Sequence, residues 1–338
     1  MSGARTVYVA RKGATLRRDG ARLTVVSRQD APVPVTVHDL GQLVLMGNVT
    51  LTPAALEMLL REGVDTVLLS WSGRYRGRIV GGPSRNVALR VAQYRALDDP
   101  ARACALAKDV VAGKVCNQRV LLQRHARRHS KTDALDLGIR AMRASQLRLE
   151  RLGDLDQVRG CEGAAAAAYF RAFDDLIRAP GFRFDGRNRR PPLDPVNVLL
   201  SLGYTLLSNA VEAAVHVVGL DPYLGALHAN TAGRPSLVCD LVEELRAPIV
   251  DALVVAALNK GAFSPRDFED TGPGEPVRIT PHAMRWFVTL FERRLVRPTW
   301  YEPAGCKRTV RDIIEAQARA FARAIVGEAD RYDPYLTR

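Results

Sequence analysis

The hydrophobic pattern of this chain changes its period near residue 84, and that change limits the possible folds more than any other feature. Before it, short β-branched or apolar runs such as Thr6–Ala10 and Thr66–Trp71 are separated by Gly and Asp, as is typical of strands. After it, apolar residues recur at helical spacing, beginning with Asn86–Asp98 and Pro100–Val115. The pattern therefore predicts an α+β fold, in which a small strand-rich N-terminal domain precedes a larger, mostly α-helical C-terminal domain.

The predicted boundaries give a β-rich domain over residues 1–85, a helical linker over 86–100 and an α-helical domain over 101–330. Thr52 and Pro53 predict the start of one short helix inside the β-rich domain, because Thr caps helices and Pro is tolerated in a first turn. Further helices are predicted over 117–129, 133–151, 162–178, 194–218, 236–261, 281–294 and 309–326.

An excess of positive charge predicts a polyanionic partner. The chain has 49 Lys and Arg against 36 Asp and Glu, which gives a net charge of +13. Residues 101–160 alone hold 13 basic and 6 acidic side chains. Nucleic acid is the simplest partner for such a surface, since it is bound through its phosphates. The residues expected to contact DNA are Arg119, Arg124, Arg127, Arg128, Arg187, Arg189, Arg190 and Arg246.

The cysteines and the apolar runs indicate the compartment. Five scattered cysteines form no C-x-x-C pair, so neither a zinc finger nor a disulfide scaffold is expected. The N-terminal segment lacks the apolar core of a signal peptide. Apolar runs such as Ile249–Leu258 stop short of the roughly 20 residues that span a bilayer. We expect a cytoplasmic protein without a membrane partner.

Glu162, His228 and Glu243 are the candidate catalytic residues, because two carboxylates and an imidazole suit a divalent cation. Each also has a structural interpretation. Glu162 near a predicted helix start would favour the helix dipole, and a lone His often only satisfies local hydrogen bonds. Asp240 and Glu243 share a helix face at i, i+3 spacing, where Arg246 offers an ion-pair partner for either. Spacing alone leaves both interpretations open.

Three ordered segments resemble the CRISPR-associated integrase family, the adaptation enzymes of CRISPR immunity. The first places Glu162 before an Ala-rich run that ends at Tyr169. The second ends a Gly-Leu-Asp-Pro segment with Leu-His, at His228. The third is the acidic helix Ser-Leu-Val-Cys-Asp-Leu-Val-Glu, which contains Asp240 and Glu243. The resemblance extends over about residues 5–335 and includes Lys114 and the Asn-Gln-Arg run that follows it.

The resemblance implies a metal-dependent DNA integrase or endonuclease. It implies Mg²⁺ or Mn²⁺ at Glu162, His228 and Glu243, with Asp240 and Tyr169 supporting these ligands from behind. It also implies a homodimer formed through the N-terminal domain. That homodimer would join a dimer of the second CRISPR-associated protein in a heterohexamer. Its substrates would be double-stranded DNA, namely the spacer precursor and the CRISPR repeat into which the fragment is inserted.

Two other interpretations of the same residues remain. A stand-alone, structure-specific, metal-dependent DNA nuclease would use the same three residues with water as nucleophile. A non-catalytic DNA-binding scaffold would instead pair its carboxylates with Arg246 and Arg171. An RNA-binding module is less favoured, because aromatic residues make up only 6% of the chain and do not alternate with basic ones.

Overall fold

The computed structural model describes residues 5–11, 13–27, 30–71, 73, 75–79, 81, 86–129, 132–188, 191–269, 272 and 274–337. The chain divides into two compact units, Met1–Pro83 and Ser84–Arg338. The first is rich in strands and the second is mostly helical, so the predicted fold class is confirmed.

The first unit holds strands and one helix. In chain order its elements are β1 (Arg5–Val9), β2 (Thr15–Asp19), β3 (Arg22–Val26), β4 (Val33–Val35), β5 (Leu40–Met46), β6 (Thr50–Leu51), α1 (Pro53–Arg61), β7 (Asp65–Leu69) and β8 (Tyr75–Ile79). One sheet has the order β1-β5-β7-β8, with β8 antiparallel at its edge and the other three strands parallel. The second has the order β4-β3-β2-β6.

The core of the first unit is apolar, and its helix has the predicted cap. Leu16, Leu23, Leu43 and Leu59 are fully buried within it. Thr52 Oγ1 accepts the N–H of Ala55 at 3.3 Å, which confirms the predicted start of α1. Strand β2 was not predicted, because its sequence TLRRD buries only the leucine and has no apolar alternation.

The second unit is built from nine labelled helices and four short strands within the described residues. They are α2 (Val87–Asp98), α3 (Pro100–Arg128), α4 (Asp133–Arg151), α5 (Leu155–Phe173), α6 (Pro195–Val218), α7 (Ser236–Leu245), α8 (Ala252–Asn259), β9 (Phe268–Glu269), β10 (Arg278–Ile279), α9 (Pro281–Leu295), β11 (Pro298–Tyr301), β12 (Cys306–Thr309) and α10 (Val310–Val326). A π-helical segment, Arg246–Asp251, joins α7 to α8.

Helix α5 begins earlier than predicted. Asp154 caps it by accepting the N–H groups of Asp156 and Gln157, both at 3.0 Å. Glu162 therefore lies two turns inside the helix and not at its N-terminus, so the helix dipole does not explain this carboxylate. The prediction missed this first part of the helix because Gly160 and the charged Asp156 and Arg159 interrupt it, although Leu155, Val158 and Cys161 recur at helical spacing.

Two further expectations are corrected. The predicted helix over 236–261 is interrupted by the π-helical segment, where Pro248 cannot donate a backbone N–H. Helix α6 is long and apolar enough to be a membrane-span candidate, contrary to the expectation that no run approaches that length. Its apolar window is 72% buried inside the protein, as in the core helix of a globular domain.

Close packing of α6 positions the π-helical segment. A Cβ on Gly203 would lie 2.5 Å from Val250 Cγ1, so the glycine allows α6 to approach that segment closely. The approach supports the end of α7, which bears the acidic residues of the candidate site.

The last residues, 328–337, return across α3 and α7. Asn117 Nδ2 donates to the carbonyl oxygens of Glu244 and Tyr335, both at 2.7 Å, and Asn117 Oδ1 accepts the N–H of Thr337 at 2.9 Å. This tail ties together the two helices that carry much of the site.

Candidate active site

Glu162 and Glu243 converge on one ammonium group. Lys114, on α3, forms an ion pair with Glu162 on α5, and its Nζ lies 2.6 Å from Glu243 Oε2 on α7. The side chains of Lys114 and Glu243 are only 6% and 3% exposed, whereas that of Glu162 is 24% exposed. Three helices thus bring two carboxylates that are 81 positions apart in sequence around a single cation.

A glycine lets α3 and α7 come this close. A Cβ on Gly113 would lie 2.5 Å from Pro334 Cβ and 3.2 Å from Glu244 Cβ. The backbone next to Lys114 therefore lies directly against α7 and the returning tail. That contact fixes the direction from which the Lys114 side chain reaches the carboxylates.

Strong electrostatic attraction keeps Glu243 ionised although it is buried. Burial by itself raises the pKa of this carboxyl, but the Arg246 guanidinium and then the Lys114 ammonium outweigh it and lower the pKa to about 2. Arg246 Nη1 lies 2.9 Å from Glu243 Oε1. Lys114 Nζ faces the other oxygen, Oε2, so each oxygen of this buried carboxylate has one cationic partner.

Asp240 fixes the orientation of His228. Its buried carboxylate accepts the N–H groups of Ala226, Leu227 and His228 at 2.6, 2.9 and 3.1 Å. His228 Nδ1 lies 2.6 Å from Asp240 Oδ1. An aspartate accepts there, so we assign the proton to Nδ1, which leaves Nε2 as a free acceptor. Asp240 thus orients the imidazole, and its role in supporting a metal ligand remains a prediction.

The loop that carries His228 is tied to both acidic helices. Arg159 Nε, one turn before Glu162 on α5, donates to the carbonyl oxygen of Leu227 at 2.8 Å. A Cβ on Gly225 would lie 2.6 Å from Asp240 Oδ2 and 2.8 Å from the Ser236 carbonyl oxygen, so this loop needs glycine there.

Ser236 does not cap α7, although serine is a common N-cap residue. It is the first residue of the helix, and its hydroxyl donates instead to the carbonyl oxygen of Ala229 at 2.8 Å. The serine therefore anchors the end of the His228 loop to the start of the helix that bears Asp240 and Glu243.

Tyr169 lies behind the site and is connected to Arg246 through Asp251 and Tyr204. Its hydroxyl donates to Asp251 Oδ2 at 2.7 Å, and the Tyr204 hydroxyl donates to Asp251 Oδ1 at 2.6 Å. The Tyr204 ring lies 5.0 Å beneath the guanidinium carbon of Arg246, which pairs with Glu243. Burial raises the pKa of Asp251, although both tyrosine hydroxyls counteract this effect. Tyr169 thus acts on the packing behind Arg246.

The donor set fits a divalent cation. Glu162 and Glu243 already share one cation, and with the proton on Nδ1 the Nε2 atom of His228 is an acceptor. Carboxylate oxygens suit Mg²⁺, and an added imidazole suits Mn²⁺. Within the described part of the chain, no three His, Cys, Asp or Glu side chains form a ready-made metal cage. The Lys114 ammonium lies between the Glu162 and Glu243 carboxylates, which is the position that a metal ion shared by them would occupy.

Of the arginines expected to contact DNA, three form an exposed group. Arg124, Arg127 and Arg128 lie in the last turns of α3, at spacings that place them on one helix face. Partial burial and the neighbouring Arg128 guanidinium lower the pKa of Arg124, as expected where like charges are crowded. Arg119, one to two turns earlier, is half-buried.

The other arginines are differently placed. Arg187 donates to Asn197 Oδ1 at 2.6 Å and to Ser201 Oγ at 3.0 Å, so its guanidinium fastens a loop to α6. Arg246 is committed to Glu243 and Tyr204. Their geometry offers no support for a DNA contact, and that assignment stays a prediction. Arg189 and Arg190 lie outside the described residues.

The sequence analysis did not predict two residues of the site, Lys114 and Asp251. Lys114 was connected only to the family resemblance and not to the carboxylates, and Asp251 was not considered. The available signal for Lys114 was a charged side chain that follows the apolar Ala107, Val110 and Val111 on one helix face.

Comparison with known proteins gives a consistent result. A family model described as "CRISPR associated protein Cas1" matches residues 7–293. The chain is 38% identical over 338 residues to "CRISPR-associated endonuclease Cas1 3" of Thermus thermophilus, covering 99% of this chain and 98% of that relative.

Solved structures show the same fold. A "Casposase bound to integration product" superposes with a TM-score of 0.86 at 23% identity, over 99% of this chain and 94% of that one. A "Cas6-RT-Cas1--Cas2 complex" superposes with a TM-score of 0.83 at 25% identity, over 99% of this chain and 36% of that one.

Proposed function

The chain belongs to the CRISPR associated protein Cas1 family, and from that premise we propose that it is a metal-dependent DNA integrase and endonuclease. Its reaction would be the insertion of short DNA fragments, as new spacers, into a CRISPR array. The observation that carries the proposal is the convergence of Glu162 and Glu243 on one cation, beside a His228 imidazole whose Nδ1 is held by Asp240.

Mg²⁺ or Mn²⁺ would be held by Glu162, His228 and Glu243. When bound, the ion supplies charge stabilisation at the reacting phosphate and favours ionisation of the attacking hydroxyl. Each residue has its own task. Arg246 holds one oxygen of Glu243, Asp240 fixes the tautomer in which Nε2 is the metal-binding atom of His228, and burial of Glu243 limits the access of water on that side of the site.

The chemical step is a direct transesterification. The 3′-hydroxyl of the incoming fragment forms a new bond to a repeat phosphorus, and the bond from that phosphorus to the repeat 3′-oxygen breaks. The proton of the attacking hydroxyl leaves to solvent, and the departing 3′-oxygen takes one up. Nothing is oxidised or reduced and no covalent enzyme intermediate is needed, because the number of phosphodiester bonds is unchanged.

DNA and a partner protein complete the proposal. The exposed Arg124, Arg127 and Arg128 group would contact phosphates without reading sequence. We propose a homodimer that joins a dimer of the second CRISPR-associated protein as a heterohexamer, in the cytoplasm. Support for the partnership comes from the structural likeness to a chain of the Cas6-RT-Cas1--Cas2 complex, and support for strand joining comes from the likeness to the casposase.

Two alternatives are favoured by particular observations. The stand-alone nuclease is favoured by the word endonuclease in the name of the Thermus thermophilus relative. The non-catalytic scaffold is favoured by the ion pairs of both carboxylates, although their partners are Lys114 and Arg246 and the expected Arg171 is not among the recorded pairs of either.

The test is strand transfer in vitro with the partner protein, a short duplex with free 3′-hydroxyls, a repeat-bearing plasmid and Mg²⁺ or Mn²⁺. Glu162→Gln, His228→Ala and Glu243→Gln are compared with Glu150→Gln, which changes an exposed glutamate on α4. We expect metal-dependent joining in the wild type and the Glu150 variant. The three site variants should lose at least about 100-fold in rate while retaining DNA binding.

The alternatives give different results in the same assay. Metal-dependent cleavage without joining, in the presence of the partner protein, would indicate the stand-alone nuclease. DNA binding with neither joining nor cleavage in the wild type, equal with and without metal, would indicate the scaffold.

A further inference from the structure

Lys114 occupies an unusual position for a lysine. Its ammonium is buried in the middle of the 29-residue helix α3, and it contacts two carboxylates on two other helices. A buried charge is costly unless it is paired, and here each of its two partners is an acidic residue of the candidate metal site. The lysine thus holds together two side chains that would otherwise repel each other.

The charges of the cluster balance without any added ion. Glu162 and Glu243 contribute two negative charges, and Lys114 and Arg246 contribute two positive charges. Arg246 contacts Oε1 of Glu243, whereas Lys114 contacts Oε2. Of the two cations, only Lys114 joins both carboxylates, so it is the one that a shared metal ion would have to replace.

An ammonium and a divalent ion cannot share this place. A cation bridging the two carboxylates would lie about 2.0–2.6 Å from their oxygens, the usual range for Mg²⁺ and Ca²⁺. Lys114 Nζ already lies 2.6 Å from one of those oxygens. Like charges at such separations repel strongly in a poorly solvated site. The four-carbon stem of lysine allows its head group to move, whereas the planar, stacked guanidinium of Arg246 is held by Tyr204.

We propose that Lys114 is an internal counter-ion of the site, a positioning residue that keeps Glu162 and Glu243 together in the metal-free protein and is displaced when the divalent cation binds. It therefore lowers the affinity for the metal and preserves the folded site in its absence. The displacement half of this inference rests on the proposed function, because it requires a metal at these carboxylates. The stabilising half stands on the ion pairs alone.

The chain offers a matched control for the lysine. Lys108 lies six residues earlier on α3, and its Nζ donates to the carbonyl oxygens of Glu150 and Leu152 at 3.1 and 2.7 Å. It is also a lysine anchored by two acceptors, but both are uncharged. Lys114→Met and Lys108→Met therefore each remove an ammonium from the same helix, and only the first leaves two carboxylates facing each other.

The experiment measures Mn²⁺ binding by titration calorimetry, and thermal unfolding in EDTA and in Mn²⁺, on the full chain. We expect Lys114→Met to bind Mn²⁺ about tenfold more tightly than the wild type. It should unfold at a lower temperature in EDTA and recover most of that loss when Mn²⁺ is added. Lys108→Met should keep the wild-type affinity and show a similar change in melting temperature in both conditions.

A double variant covers the case in which Lys114→Met folds poorly. Adding Glu162→Gln removes one of the two repelling carboxylates, so the double variant should unfold in EDTA at a higher temperature than Lys114→Met alone. No recovery in the double variant, or unchanged Mn²⁺ affinity in Lys114→Met, would overturn the inference.

The failure of the proposed function looks different. If the wild type binds no Mn²⁺, or binds it equally after Glu162→Gln, then the metal site is wrong and displacement is excluded. The melting temperatures in EDTA still decide whether Lys114 holds the two carboxylates together.

Discussion

Glu243 and Glu244 are adjacent on α7, yet their buried carboxyl groups have pKa values shifted in opposite directions. Arg246 and Lys114 overcome burial at Glu243 and lower its pKa to about 2. Among the described residues no such cation faces Glu244, where burial outweighs hydrogen bonds from Tyr332 and Gln317 and raises the pKa to about 8. The two residues point to opposite sides of the helix, one towards the candidate site and one towards the returning tail.

Glu244→Gln should remove a pH dependence of stability. The folded protein keeps a proton on Glu244 up to about pH 8, whereas the unfolded chain releases it near 4.5. The folded state therefore binds more protons in this window, and the free energy of unfolding falls as pH rises through it. The contribution is complete below about pH 4.5 and lost above about pH 8. We expect the free energy of unfolding of the wild type to fall by roughly 5 kcal/mol between pH 4.5 and pH 9.

Urea denaturation in EDTA, from pH 5 to pH 9, checks this expectation. Glu243 does not interfere, because its lowered pKa makes its contribution disappear only as pH falls from 4.5 towards 2. The glutamine variant should show a flatter profile and should be more stable than the wild type at pH 9. Parallel profiles for the two proteins would show that Glu244 keeps an ordinary pKa.

Asp240→Asn should loosen the His228 loop and weaken metal binding. In the wild type, Asp240 Oδ2 accepts the backbone N–H groups of Ala226 and Leu227. Asparagine has only one acceptor oxygen, so its NH₂ group, which is a donor, would face either these N–H groups or those now bound to Oδ1. We expect a loss of about 10- to 100-fold in Mn²⁺ affinity, measured by calorimetry, as for other residues that orient a metal-binding histidine. A destabilisation of about 1–3 kcal/mol should accompany it.

Asp221→Asn is the matched control for this loop. Asp221 accepts the N–H of Tyr223 at 2.8 Å and the Tyr94 hydroxyl at 3.0 Å, away from the imidazole. It should alter stability without changing Mn²⁺ affinity. Equal effects of the two substitutions on affinity would show that Asp240 acts only on folding.

Gly225→Ala and Gly163→Ala should change the free energy of unfolding in opposite directions. The added methyl group at 225 would clash with Asp240 and with the Ser236 carbonyl group, neither of which can easily move. At 163, one residue after Glu162, nothing lies within 4 Å of the new Cβ, and the site is inside helix α5. We expect Gly163→Ala to stabilise by about 0.5–1 kcal/mol and Gly225→Ala to destabilise by at least about 2 kcal/mol. Chemical denaturation measures both, and a stable Gly225→Ala protein would contradict the described loop.

Neutralising the arginines at the end of α3 should reduce the salt dependence of DNA binding. Replacing Arg124, Arg127 and Arg128 by Gln removes three exposed charges that we expect to contact phosphates. The slope of log affinity against log salt should become shallower by about 0.9 for each lost phosphate contact. The control is Arg319→Gln, an exposed arginine on α10 that pairs with Glu315 at 2.6 Å. An unchanged slope in the triple variant would place the DNA elsewhere.

The sequence by itself determined the fold class, because the change from strand to helix period is a local property of residues on either side of position 84. It also made Glu162, His228 and Glu243 candidates through their motif contexts, and their roles stay predictions. It misplaced the start of α5, where Gly160 and charged residues interrupt the apolar spacing of Leu155, Val158 and Cys161.

Only the tertiary structure decided which charges meet. Lys114 lies 48 positions before Glu162 and 129 before Glu243, and the Glu244 carbonyl oxygen meets the tail through Asn117. Such pairs depend on how α3, α5 and α7 pack, with Gly113 allowing the close approach. Local sequence specifies each helix and its faces, whereas the partner of a buried charge is chosen by the packing of helices distant in the chain.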